Sequence, residues 1–192
     1  RSAACGSLRR PRISAWPRVS HGTSDVNRPP PPGIALRAAR WADDRPGIES
    51  VRRPVFIEEQ GIPADEEWDS IDPQARHVLA MAGKRDAVGT GRLEPTGKIG
   101  RVAVLPQHRG TGVGGAIVGY LVNQATELGF TKVYLHAQTA ALAFYERLGF
   151  RAEGPVFDEV GIPHVRMTLG IEQRNEHEAG RHGHEEHPLD AR

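Results

Sequence analysis

Residues 99–115 read IGRVAVLPQHRGTGVGG, and this stretch decides what the rest of the chain is expected to form. A short apolar run at residues 102–105 is stopped by Pro106. The glycine-rich residues 107–114 then lead into an apolar pattern, from Ala116 on, that is typical of a helix. A strand, a glycine-rich loop and a helix start in this order predict an anion site. The free N–H groups of the first helical turn and the helix dipole together stabilise a phosphate group.

Three phosphate-binding patterns compete for this loop. A Walker A loop ends in Gly-Lys-Ser/Thr, whereas residues 112–115 read GVGG. Residues 110–115 satisfy G-x-G-x-x-G, but that pattern requires an acidic residue about 20 positions further on, and the predicted strand 132–137 ends without one. The third pattern, Gln/Arg-x-x-Gly-x-Gly/Ala, is matched by residues 107–112 and fits best.

The third pattern resembles the pyrophosphate loop of the GNAT superfamily, the acetyl-CoA-dependent N-acetyltransferases. Residues 140–151, which read AALAFYERLGFR, resemble the other GNAT signature, Ala-x-x-Phe-Tyr-x-x-x-Gly-Phe. The same stretch also fits an ordinary amphipathic helix that ends at Gly149, and the two interpretations are compatible. Residues 55–63, VFIEEQGIP, are a looser match to the ElaA-like branch of these proteins.

Length and composition indicate one domain with tails. The chain has 192 residues, of which 38% are hydrophobic and 26% charged, and one domain usually has about 100–200 residues. We expect residues 1–33 to be a disordered Arg/Ser/Pro-rich extension, with a transit peptide as the alternative. Residues 34–170 are the expected GNAT domain, and residues 171–192 a disordered tail rich in His and Glu. Because the histidines of this tail lack a fixed ligand spacing, we predict no metal site.

Several classes of protein are disfavoured by the sequence. No run of about 18 apolar residues occurs, so we expect no membrane partner. The net charge of +1 argues against a dedicated nucleic-acid binder. The single Cys5 can form no internal disulfide and gives no sign of an oxidising compartment. These features favour a cytoplasmic protein, and they leave a homodimer open.

The hydrophobic pattern predicts an α/β fold in the order strand, helix, three strands, helix, strand, helix, two strands. The first helix is expected to start at an N-cap, Asp43 or Asp44, with Pro46 in its first turn. The GNAT resemblance implies a mixed, mostly antiparallel sheet with a splayed parallel strand pair, flanked by helices. The predicted strands cover residues 34–39, 77–81, 87–93, 99–105, 132–137, 154–157 and 164–169.

The resemblance also implies a cofactor site. GNAT enzymes hold acetyl-CoA in a V-shaped gap between two parallel strands, here those that begin at Ile99 and Lys132. Glycines in the loop would permit positive φ and a close approach of the ligand to the backbone. The expected cofactor-binding residues lie on the strand before the loop and in the loop itself: Val102, Ala103, Val104, Arg109, Gly110, Thr111, Gly112, Val113 and Gly114.

Direct attack of an amine on a thioester needs an acid for the departing thiolate and a base for the amine proton. The resemblance makes Tyr145 the expected acid, because a phenol is protonated at neutral pH. The leading candidate for the base is His136, because imidazole is the side chain suited to proton transfer near neutral pH. Glu59, at the end of the first helix, comes second, and His77 is a weaker candidate. Each of them could equally be an ordinary structural or surface residue. Many relatives carry a glutamate on the strand before the loop, where this chain has Gly100, Arg101 and Ala103.

The acceptor and two other functions stay open at this point. The acidic segment 65–72 is either a field that attracts a cationic amine or a solvated surface loop. The expected acceptor is a small-molecule amine or a lysine-type side chain. The alternatives are a non-catalytic acyl-CoA-binding sensor or assembly module, and the NAD-dependent oxidoreductase that residues 110–115 would suggest.

Overall fold

The computed structural model describes residues 25–171. Within them the predicted order of elements is confirmed, with one added short helix, Ala64–Glu67. A π-helical segment, Arg53–Glu59, directly continues the first α-helix. No helix in this part of the chain has the length and apolar character needed to cross a membrane. The elements are β1 (Ile34–Ala39), α1 (Trp41–Arg52), α2 (Ala64–Glu67), β2 (Arg76–Ala82), β3 (Asp86–Leu93), β4 (Ile99–Val104), α3 (Val113–Glu127), β5 (Lys132–Gln138), α4 (Leu142–Arg147), β6 (Arg151–Glu159) and β7 (Ile162–Gly170).

The strands form two sheets, with the orders β1-β2-β3-β4 and β5-β7-β6. The expectation of one mixed sheet is corrected here, because every strand ladder in residues 25–171 is antiparallel. The two sheets meet at an isolated parallel bridge between Lys98 and Tyr134, where the Tyr134 N–H donates to Gly97 O at 3.2 Å. Beyond this bridge β4 carries a β-bulge. Arg101 has a φ of 52° and the β3–β4 register shifts there, which bends the strand.

Two glycines of β3 allow helix α3 to lie close to the sheet. A Cβ on Gly89 would come within 2.7 Å of Ile117, and a Cβ on Gly91 within 2.9 Å of the same side chain. Ile117 and Leu121 are fully buried in the main core, which α3 shares with both sheets. The backbone of β3 therefore sets how near the start of α3 comes to β4.

The packed domain starts earlier than expected. Val26 is buried, and its carbonyl lies so close to α3 that a Cβ on Gly119 would meet it at 2.0 Å. Residues 25–33 thus belong to the described domain and not to a disordered extension. The rest of that predicted extension, residues 1–24, and the predicted tail from residue 172 on lie outside the described residues.

The start of α1 also differs from the prediction. The helix begins at Trp41 with Arg40 as its N-cap, and not at Asp43 or Asp44. Asp44 still helps to cap the helix, because its carboxylate accepts a hydrogen bond from the N–H of the N-cap residue Arg40 at 2.9 Å. The hydrogen bond from Arg37 lowers the pKa of Asp44, although burial opposes this shift.

The acidic segment 65–72 is neither a solvated loop nor a free negative field. Its carboxylates Glu67 and Asp72 are fully buried. Arg52, on α1, is equally buried and donates to Glu67 through Nε and to Asp72 at 2.7 Å. Arg92, on β3, donates to the same Asp72 oxygen at 2.7 Å. We call Arg52, Arg92, Glu67 and Asp72 the buried ion cluster.

Replacing Asp72 by Asn should destabilise the fold by about 3–5 kcal/mol, because it leaves two buried guanidinium groups without their shared charge. Urea unfolding of the full chain measures this loss. The exposed Asp65 of the same segment supplies the control, and its change to Asn should stay within about 0.5 kcal/mol.

The pH dependence of stability provides a second test of the role of Asp72. Burial alone would raise the pKa of Asp72, but hydrogen bonds from Arg52 and Arg92 lower it below its usual range. The stability it contributes is therefore present above its unfolded-state pKa of about 4 and is lost as pH falls. Asp72→Asn should lose less stability than the parent between neutral pH and pH 3. Equal acid sensitivity of the two proteins would contradict this role.

Candidate functional site

The glycine-rich loop joins the end of β4 to the start of α3. Gly110 has a φ of 73° and Gly112, the N-cap of α3, a φ of 99°. Both values lie in the left-handed region that favours glycine. Gly114 differs from the expectation, because it lies inside the first turn of α3 and does not have a positive φ.

The main-chain N–H groups of this loop are available to a ligand. The first backward hydrogen bond of the helix runs from the Ala116 N–H to Gly112 O at 3.1 Å. No group within residues 25–171 accepts a hydrogen bond from the N–H groups of residues 110–115. Unpaired N–H groups at the positive end of a helix dipole form an anion site. The predicted anion site is therefore present in the geometry of the loop.

Arg109 uses its guanidinium within the protein. Its Nε donates to Val104 O at 2.9 Å, and its two terminal nitrogens donate to the two oxygens of Glu59 at 2.7 and 2.6 Å. The pair fixes the loop against the π-helical segment that carries Glu59. The hydrogen bond with Arg109 lowers the pKa of Glu59, which makes this carboxylate a poorer proton acceptor.

Tyr145 lies on α4 among aromatic side chains. Its ring is edge-on to Phe144 at a centroid distance of 4.8 Å and to Phe150 at 5.9 Å. Burial raises the pKa of Tyr145 to about 12. Its hydroxyl group makes no hydrogen bond to any residue between 25 and 171. The phenol therefore holds its proton and is free to donate it to a ligand.

His136, on β5, is paired with a carboxylate that the sequence did not suggest. Its Nδ1 lies 2.8 Å from Oε2 of Glu159, the last residue of β6. Strand β7 lies between β5 and β6 in the sheet, so no pattern along the chain pointed to this contact. On the same face Gln138 bonds to Gln60, at the end of the π-helical segment, at 2.9 Å. His136 thus faces the same side of the sheet as α1 and its π-helical continuation.

Comparison with known protein families identifies the family of this chain. A family model described as "Acetyltransferase (GNAT) domain" matches residues 56–171. The chain belongs to the GNAT acetyltransferase family. This confirms the resemblance and the expectation of an acetyltransferase, and nothing found supports the non-catalytic alternative or the NAD-dependent one.

Named relatives agree with this assignment. The GNAT protein described here is 39% identical over 121 residues to the "Uncharacterized N-acetyltransferase YjcF" of Bacillus subtilis, covering 61% of this chain and 86% of that one. It is 34% identical over 131 residues to the "Protein ElaA" of Escherichia coli, covering 64% and 85%. It also resembles the crystal structure of an "Acyl-CoA N-acyltransferase" from Pseudomonas aeruginosa, with a TM-score of 0.63, 30% identity and coverage of 70% and 98%. The ElaA-like branch is thereby supported.

Two loop glycines of this GNAT domain should respond differently to alanine. Gly112→Ala should lower the free energy of unfolding by about 1–2 kcal/mol. An added Cβ would meet no atom within 4 Å, so the loss comes from the φ of 99°, which strains an L-residue. Gly114→Ala should be neutral or stabilising by up to about 1 kcal/mol, because it is helical and its Cβ would meet Phe144 at an ordinary 3.4 Å. Thermal or urea unfolding of both variants measures the difference. Equal effects would show that the loop does not impose the conformation described.

Proposed function

We propose that this GNAT acetyltransferase moves the acetyl group of acetyl-CoA to a primary amine by direct attack of the neutral amine on the thioester. The observation that carries the proposal is the set of unpaired N–H groups at residues 110–115, at the start of α3. Each hydrogen bond from such a group to a pyrophosphate oxygen is charge-assisted and contributes about 1.5–3 kcal/mol. Main-chain N–H groups of Gly110, Thr111, Gly112, Val113 and Gly114 are the proposed pyrophosphate ligands. The Arg109 N–H, expected to act with them, already donates to Pro106 O at 3.2 Å and is not part of the proposal.

The pantetheine arm is proposed to lie between β4 and β5. In support, these strands are bridged at Lys98 and Tyr134 and form no ladder with each other beyond that point. The arm carries amides, and the free edge of a strand offers N–H and C=O groups at alternate residues. The proposed partners on this edge are main-chain groups of Val102 and Val104. Ala103, which lies between them, pairs with Thr90 and directs its main-chain groups to β3, so the contact expected for it is not part of the proposal. The Val104 carbonyl already accepts from Arg109, so the Val104 N–H is the group left for the ligand.

Tyr145 is the proposed general acid. With a pKa of about 12 it stays protonated at neutral pH, and its hydroxyl has no other partner in residues 25–171. The proton would pass from the phenol oxygen to the CoA sulfur as the C–S bond breaks. An ordinary phenol is already protonated at neutral pH, and burial raises the pKa of Tyr145 further.

His136 is the proposed general base, and Glu59 is disfavoured. The ion pair with Arg109 stabilises the charged form of Glu59, which lowers its tendency to take up a proton. No group between residues 25 and 171 occupies Nε2 of His136. A neutral imidazole nitrogen with a free lone pair can accept the ammonium proton of the acceptor.

The acceptor is proposed to be a primary amine on a small molecule or on a lysine side chain. Steering by the acidic segment is not part of the proposal. Glu67, Asp69 and Asp72 are neutralised by arginine partners, so only the exposed Asp65 and Glu66 keep an unshared charge.

Acetyl-CoA and CoA should each raise the melting temperature of the full chain, whereas NAD and ATP should not. A ligand at a hundred times its dissociation constant stabilises by about 2.7 kcal/mol, which corresponds to about 5–10 °C for a domain of this size. A thermal-shift series with the four ligands makes the comparison. A folded protein whose melt is unmoved by both CoA species would overturn the proposed cofactor.

Tyr145→Phe should lower kcat by about 10² or more and leave acetyl-CoA affinity unchanged, because it removes the proton and keeps the aromatic packing. Steady-state rates with a panel of primary amines, together with acetyl-CoA titration, measure both quantities. Tyr120→Phe on α3 is the matched control and should keep full turnover. Unchanged kcat in Tyr145→Phe would exclude this residue as the acid.

A further inference from the structure

We propose that Glu159 is a positioning residue for acetyl transfer, which holds the ring of His136 so that Nδ1 carries the proton and Nε2 faces the acceptor amine with its lone pair free. The inference rests on the proposed function, in which His136 is the base. Neither the sequence motifs nor the family match assigns a role to Glu159.

The contact depends on how the β6–β7 hairpin is built. Its turn consists of Val160 and Gly161, with φ values of 56° and 74°. Two successive residues with positive φ make the tight two-residue turn that suits a hairpin. A β-branched residue such as Val160 is strained in this conformation. The hydrogen bond from the Gly161 N–H to Asp158 Oδ1 at 2.9 Å helps to hold the turn.

The hairpin extends past the end of β5. Gln138, the last residue of β5, pairs with His164, whereas Glu159 pairs with Ile162, two positions before His164 at the start of β7. Glu159 nevertheless reaches back to His136 at 2.8 Å. The end of the hairpin must therefore fold over the sheet face that carries His136. The other carboxylate oxygen of Glu159 lies 4.0 Å from Nζ of Lys98, which precedes β4 in the first sheet.

The chemistry of the pair fixes the tautomer of the ring. Burial by itself would raise the pKa of Glu159, but the hydrogen bond with His136 and the charge of Lys98 lower it below its usual range. An ionised carboxylate only accepts hydrogen bonds, so Nδ1 of His136 must be the donor. In a neutral imidazole the proton on Nδ1 leaves Nε2 as the acceptor. The edge of the ring also packs against Phe157 at a centroid distance of 4.9 Å, which restricts its rotation.

The other charged or titratable groups around the pair do not replace Glu159. Lys98 faces Glu159 from the first sheet and not His136. On β7, His164 directs Nδ1 to a main-chain carbonyl at 2.8 Å. Arg166, opposite His136 in the ladder, lies over a tyrosine ring at 4.3 Å. In the described chain, Glu159 is thus the carboxylate that contacts His136.

The Glu159→Gln variant of the full chain tests whether Glu159 positions and charges the His136 ring or only packs against it. The amide oxygen can still accept the Nδ1–H bond, but the negative charge that stabilises the imidazolium is gone. We expect kcat to fall at least about tenfold with the KM for acetyl-CoA unchanged. The acid limb of the pH–rate profile should move to lower pH, because the imidazole becomes a weaker base. Asp158→Asn is the matched control, since Asn keeps the oxygen that accepts from Gly161, and it should leave the profile in place.

Nitrogen-15 NMR of the His136 ring gives a readout that does not need turnover. The parent protein should show the tautomer with the proton on Nδ1. The other tautomer in the parent, or an unchanged kcat and pH–rate profile in Glu159→Gln, would overturn the role of Glu159 alone. Full turnover in His136→Gln would instead overturn the base assignment of the proposed function, and the role of Glu159 with it.

Discussion

The ion pairs of the buried ion cluster connect three parts of the chain that would otherwise meet only through side-chain packing. Arg52 comes from α1, Arg92 from β3, and both bind Asp72 at the end of the acidic segment. Burying these groups is costly: burial raises the pKa of Glu67 even though the charges of Arg52 and Arg101 oppose the shift. Because a buried charge that loses its partner costs more still, the segment has little freedom to take another position over the sheet.

The same cluster reaches the strand that leads to the anion site. Arg101, in the bulge of β4, binds Glu67 Oε2 through Nε at 3.0 Å and the main-chain oxygen of Glu66 at 2.9 Å. Seven residues beyond Arg52, Glu59 holds Arg109 in the loop that follows β4. One continuous helical element, α1 with its π-helical extension, therefore anchors β4 through the buried cluster at one point and the loop after it at another. These contacts hold both the strand before the loop and the loop itself, and so fix the position of the unpaired N–H groups.

What the sequence could predict was local, and what it could not predict was a contact between distant segments. The strand, loop and start of α3 followed from residues 99–115 because proline, glycine and apolar spacing act on their own neighbours. Composition alone predicts that the acidic segment lies at the surface, because carboxylates are rarely buried unless they are paired. Their arginine partners lie up to 34 residues away in the chain, so the pairing cannot be recognised locally. Glu159 went unnoticed for the same reason, since it meets His136 only after β6, its turn and β7 have formed.

The choice between the two candidate bases depends on the sign of the partner charge. From the sequence alone, His136 ranks before Glu59 only because an imidazole suits proton transfer near neutral pH. Glu59 is paired with a cation, which stabilises the carboxylate and opposes proton uptake. His136 is paired with an anion, which stabilises the imidazolium that forms when the ring accepts a proton. The same electrostatic rule thus makes the carboxylate a structural partner of the loop and leaves the imidazole as the group suited to take the proton.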